Sequence, residues 1–206
     1  MDRLDLFPTE VWKEDLDHID NEELTNVILK MEQEESTVKS SFGYPISSAG
    51  GWHGEPDLHN KENIQLQNIL ESIGKVTDEI KRYNHFLKGI KTECIAMWAN
   101  VNRYKDYNTV HVHPNCNYSG VYYIKTPENC GTLSFIDPRK ERRMLMDSSL
   151  YDVESTSVPA AAAHTLIITP KEGRLVLFPC FLEHEVGANQ TNEPRISISF
   201  NIRYRI

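Results

Sequence analysis

The last twelve residues constrain the fold most. Arg195, Ser197, Ser199, Asn201, Arg203 and Arg205 alternate without a break with Ile196, Ile198, Phe200, Ile202, Tyr204 and Ile206. Side chains of an extended chain point alternately to opposite sides, so a strand here carries one wholly polar and one wholly apolar face. The apolar face must be covered. Two arrangements do this: an edge strand with its polar face in water, or a strand whose apolar face packs on helices while Arg195 and Ser197 line a barrel's interior.

Six earlier stretches share the extended character: 94–103, 109–113, 119–125, 132–136, 164–169 and 174–178, with Gly, Pro and Asn between them. Two helices precede them. Asp20 reads as an N-cap with Glu23 in the capping-box position, and Leu24, Val27, Ile28 and Met31 follow at helical spacing. A second helix over 62–87 carries Leu66, Ile69, Leu70, Ile73, Val76, Ile80, Tyr83 and Leu87 on one stripe. Helices followed by many short strands predict one mainly β domain, an antiparallel sheet closed or sandwiched with the helices on one face. Residues 1–90 then supply an arm and the supporting helices, and 91–206 the β core. Residues 40–60 read as a long loop, which Trp52 of Gly50-Gly51-Trp52-His53 anchors. Residues 138–163 form a long interruption of the kind that serves as a lid.

The chemistry sits on histidines. His111 and His113 are two residues apart in an extended segment and so share a side, and His184 ends another β-rich run. Folding those two strands together brings three imidazoles to one metal ion and leaves the ion's opposite positions open. A closed zinc site wants four protein ligands, and Cys94, Cys116, Cys130 and Cys180 contain no CxxC pair. His18, His53, His59, His85 and His164 have no such partner and read as structural or exposed.

Composition excludes several classes. A formal net charge of −8 without a basic stripe argues against nucleic-acid binding. No apolar run reaches the length of a membrane span, and the first residues lack the apolar core of a signal peptide. Four scattered cysteines fit a reduced, cytoplasmic protein.

Taken in order, His111-Val-His113, Ser119-Gly-Val-Tyr-Tyr123-Ile, and Gly173…Phe178-Pro179…His184-Glu-Val…Arg195-Ile-Ser197 resemble the 2-oxoglutarate/iron(II) oxygenases of the prolyl-4-hydroxylase-like branch. Phe7-Pro8-Thr9, Gly50-Gly-Trp52-His, Trp98-Ala-Asn100-Val-Asn102, His-x-His-Pro-Asn115 and Phe135-Ile-Asp-Pro-Arg139 extend the resemblance to a bacterial and phage family of such oxygenases, over nearly the whole chain.

The resemblance implies a double-stranded β-helix, or jelly roll, with two helices packed on one sheet. Its implied cofactor is iron(II), its cosubstrates 2-oxoglutarate and molecular oxygen, and its activity hydroxylation of a small-molecule or peptidyl substrate. His111 matches the first iron ligand, His184 the distal one, and Arg195 the basic residue that grips the far carboxylate of 2-oxoglutarate. A guanidinium fork suits that carboxylate bidentately. Ser197 adds a hydroxyl on the same face, and Tyr123 is either a further donor or a core aromatic. His113 departs from the family pattern, which has a carboxylate there. A three-histidine face, a supporting role for His113, or a carboxylate from Asp137 each accommodates the departure, and the shared face of His111 and His113 favours the first. Two rivals stand beside this reading: a cupin-like three-histidine dioxygenase without a 2-oxo acid, and a non-catalytic metal-binding jelly roll. The oligomeric state is open, a homodimer included.

Overall fold

The computed structural model describes residues 2, 7–38, 40–41, 44–139 and 164–206. In chain order the strands are β1 (Trp12–Asp15), β2 (Ser40–Ser41), β3 (Tyr44–Pro45), β4 (Ser48–Ala49), β5 (Trp52–His53), β6 (Lys91–Asn102) and β7 (Tyr107–His111). They continue with β8 (Tyr118–Lys125), β9 (Leu133–Ile136), β10 (Thr165–Ile168), β11 (Arg174–Pro179), β12 (His184–Val186) and β13 (Arg195–Arg205). The helices are α1 (Asn21–Glu34) and α2 (Ile64–Tyr83), with a 3-10 turn at Leu58–Asn60.

Two antiparallel sheets face each other, in the orders β1-β11-β8-β13-β6-β5 and β10-β9-β12-β7-β4. The alternating C-terminal segment is β13, a central strand of the larger sheet. Its Ile196, Ile198, Phe200 and Ile202 are fully buried against Leu24 and Ile28 of α1 and Leu66, Ile69 and Ile73 of α2. Each such buried side chain contributes about 1.5–3 kcal/mol relative to exposure. The same division runs through the neighbouring strands. In β8 and β11, Tyr122, Ile124, Leu175 and Leu177 join the helix-side core, while Tyr123, Val176 and Phe178 face inward with Leu133, Phe135 and Leu182. The polar face of β13 is therefore the floor of the space between the sheets.

The first helix starts where the sequence predicts, and the second at Ile64, two residues after the expected 62. The Asp20 carboxylate accepts from the Glu23 amide, and the Asn63 side chain accepts from the amides of Gln65 and Leu66. The second helix ends at Tyr83 instead of 87. His85 takes a left-handed φ of 51°, and Phe86 N–H bonds Lys81 O at 2.9 Å, a closure usually signalled by glycine. The expected loop over 40–60 also contains strands: β4 pairs with β7 and β5 with β6, so this segment extends both sheets. Two-residue strands are too short to show a period. The proposed lid over 138–163 lies outside the described residues from 140 onward. Among the described residues no helix is long and apolar enough to cross a membrane.

Candidate metal centre

His111 ends β7 and stands directly opposite His184 of β12 in the antiparallel register. Cross-strand neighbours of this kind hold their side chains side by side. His113 lies two residues beyond His111, past the end of the strand, where its N–H is fixed by Cys180 O at 3.0 Å. Val110 and Val112, the alternate residues, are about half exposed. The result is a cluster in which one nitrogen from each of His111, His113 and His184 lies within 4.8 Å of the others.

The hydrogen bonds assign the tautomers. His111 Nδ1–H donates to Thr109 O at 2.7 Å, and His184 Nδ1–H donates to Leu182 O at 2.8 Å. Each ring is thus held by the carbonyl two residues behind it, and each Nε2 is left with a lone pair. His184 Nε2 lies 3.2 Å from His113 Nε2, a contact that requires a proton or a cation between them. Two imidazoles about 2.1 Å from one divalent ion at a right angle would stand about 3.0 Å apart, so the spacing fits a metal. Ser47 Oγ approaches His111 Nε2 at 3.3 Å, and Phe178 packs edge-on against His184 with ring centres 4.6 Å apart.

Burial keeps all three rings neutral. His113 is held well below 6.5 by desolvation, then by repulsion from His111 and His184. His184 is lowered to about 3 by desolvation and by His111, against the opposing bond to Leu182. His111 is lowered by desolvation, partly offset by Thr109. An unfolded chain takes up these protons below 6.5 and the folded one does not. The metal-free protein should therefore keep full stability above pH 6.5 and lose it as pH falls towards the folded-state values. Melting temperatures from about pH 7 down to about pH 5 should drop, and less steeply in His184→Gln than in the wild type.

The histidines line one side of a cavity of about 340 Å³ between the sheets, a size suited to a small ligand. The polar residues of β13, from Arg195 to Arg203, line another, together with Tyr123. Arg195 is fully buried. Its Nη1 donates to Cys130 O at 2.6 Å and Gly187 O at 3.1 Å, while Nη2 is buried without a partner. Ser197 is paired in register with Tyr123 across β8, and burial pushes the Tyr123 phenol up, so it stays protonated.

Asp137 does not join the cluster. Its carboxylate is held by Arg139 Nε and Nη2, each at 2.9 Å, just past the end of β9. Residues left unassigned in the sequence also line the cavity: His53, Trp98, Asn100, Asn102, Ser199 and Asn201. Of the two expectations for His53, structural or exposed, the first holds: it is buried and stacks on Trp98 with ring centres 5.5 Å apart, and Trp98 in turn lies 6.0 Å from His113. Trp52, its neighbour, instead enters the helix-side core and donates to Glu35 O at 3.2 Å. The signal for Asn100 and Asn102 was present. They alternate with buried Ala99 and Val101, as the polar residues of β13 alternate with its apolar ones.

Residues 96–201 match the family described as "Putative 2OG-Fe(II) oxygenase". The match covers just over half of the 206 residues and spans the histidine cluster and Arg195, and the chain belongs to this family of 2-oxoglutarate–iron(II) oxygenases. The fold is that of several solved members of the wider class. A prolyl-4-hydroxylase from Pseudomonas putida superposes with a TM-score of 0.62 at 14% identity, over 96% of this chain and 94% of that one. A Trichoplax adhaerens prolyl hydroxylase, bound to a peptide fragment of hypoxia inducible factor, gives 0.60 at 15%, over 94% and 82%. HygX from Streptomyces hygroscopicus, with nickel and 2-oxoglutarate bound, gives 0.54 at 9%, over 95% and 83%. Identities this low speak for the jelly-roll fold alone. No curated protein matches the chain.

Proposed function

We propose that the protein couples oxidative decarboxylation of 2-oxoglutarate to hydroxylation of a small-molecule or peptidyl substrate, at iron(II) held by His111, His113 and His184. One observation carries the reading. Three imidazoles with converging nitrogens and a buried guanidinium with an unpartnered Nη2 belong to residues that line the same cavity. The first set is the chemistry of a divalent metal, the second that of a carboxylate.

When bound, iron(II) with 2-oxoglutarate and oxygen supplies the oxidising power for attack on a C–H bond. The residues supply position and exclusion. Thr109 O and Leu182 O keep the Nδ1 protons of His111 and His184, so both Nε2 atoms have the lone pairs that would hold the ion. Cys130 O and Gly187 O clamp Arg195 through Nη1, so Nη2 would receive the far carboxylate without first being ordered. Ser197 and the protonated Tyr123 add hydroxyl donors beside it. Phe135, Phe178 and Leu133 form a dry wall behind His184. A third neutral imidazole leaves the site one negative charge short of a carboxylate-bearing one, and the dianionic cosubstrate offsets part of that deficit. Four free cysteines suit a reducing compartment, the cytoplasm.

The deciding experiment adds iron(II) and then 2-oxoglutarate without oxygen. A visible absorption band should appear in the wild type. In Arg195→Ala, cosubstrate affinity should fall about 100-fold or more, the scale of losing one side of a buried charge pair, with iron still retained. Admitting oxygen should release succinate. Bound iron with neither band nor succinate would refute the reading and favour the cupin-like or non-catalytic alternative.

A further inference from the structure

Among the described residues that line the cavity, two carry a buried side-chain nitrogen with no hydrogen-bond partner: Arg195 at Nη2 and Asn102 at Nδ2. Both are N–H donors. A buried donor left unsatisfied is costly, so a cavity with two of them and no matching orphan acceptor is built for a ligand that accepts. The two residues are not scattered. Asn102 of β6 is the direct cross-strand partner of Arg195 of β13, so their side chains leave the sheet side by side on the same face. Only 1% of Arg195 and 2% of Asn102 is exposed, which removes bulk water as the default partner.

The surroundings hold Asn102 in that position. Asn102 O accepts from Asn189 Nδ2 at 3.0 Å, and Asn189 is itself fully buried and bonded through its backbone to Lys105 and Asp106. On the other side lies Gly51, at a φ of +69°. A Cβ there would stand 2.8 Å from Asn102 Nδ2 and 2.9 Å from Val101 O. The Gly-Gly turn before Trp52 thus makes room for the Asn102 amide.

We propose that Asn102 is a second donor to the far carboxylate of 2-oxoglutarate, sharing that group with Arg195. The inference rests on the oxygenase reading and extends it to a residue outside the usual basic grip. The amide contributes a neutral donor, so it adds affinity without adding charge.

The test measures binding, not turnover. Manganese(II)-loaded protein is titrated calorimetrically with 2-oxoglutarate, and metal-free protein with succinate, which shares the distal carboxylate and does not need the ion. Asn102→Leu, close in size, should weaken both ligands about ten-fold, and Asn102→Asp more, by placing a carboxylate against a carboxylate. Manganese(II) affinity in both variants should match the wild type, which shows that the histidine cluster is intact. Wild-type affinity for both dicarboxylates in Asn102→Leu, alongside loss in Arg195→Met, would overturn the role of Asn102 and leave the oxygenase reading standing. Absence of 2-oxoglutarate binding in the wild type would overturn both.

Discussion

Replacing His184 with alanine is expected to abolish iron(II) binding at micromolar metal while leaving the fold intact. His184 is the most buried of the three imidazoles, and it touches both of the others, with ring centres 4.2 Å from His111 and 5.1 Å from His113. Outer partners of metal ligands are each worth about 10- to 100-fold in affinity, so removing a ligand itself should cost at least about 100-fold. The cavity left behind is polar on one side and open to the pocket, so the stability loss should be modest. The check is iron(II) affinity by competition with a chelator, set against thermal melting of the metal-free proteins. A variant that binds iron like the wild type would remove His184 from the ligand set.

The largest effect on stability should come from Gly120→Ala. Gly120 sits in β8 between β11 and β13. A Cβ there would stand 2.3 Å from Phe200 Cζ and 2.5 Å from Val176 O. Phe200 is fully buried in the helix-side core and Val176 O belongs to the backbone of the adjacent strand, so neither can withdraw cheaply. Overpacking a well-filled site costs about 1–3 kcal/mol, and this one, at the centre of the larger sheet, should reach the top of that range. Urea denaturation should show a lower midpoint with an unchanged slope. An unaltered midpoint would mean that Phe200 has room to move which the packing does not suggest.

How much of this was legible in the sequence follows from the range of each interaction. The alternation of β13 and the shared face of His111 and His113 are local periodicities, so the chain displays them directly. His184 was legible as a strand-end histidine, but its place opposite His111 depends on the register of β12 against β7, which includes a bulge. No local pattern encodes that register. Asp137 illustrates the same limit: its sequence neighbourhood is compatible with a ligand, and only the fold shows its carboxylate committed to Arg139. Asn102 alternates just as β13 does, yet its interest lies in an unpaired donor, a property that exists only once neighbours are counted. β4 and β5 escaped notice because two residues carry no period.

The aromatic series His53, Trp98, His113 gives the centre a reporter of its own. Of the three tryptophans, Trp12 and Trp52 lie on the helix side, and Trp98 alone lines the cavity. An open-shell ion on His113 would sit one aromatic ring away and drain the excited state of that indole. Intrinsic fluorescence should therefore dim on loading with iron(II) or manganese(II) and stay bright with a closed-shell ion such as zinc, so occupancy becomes readable by light emission without a label.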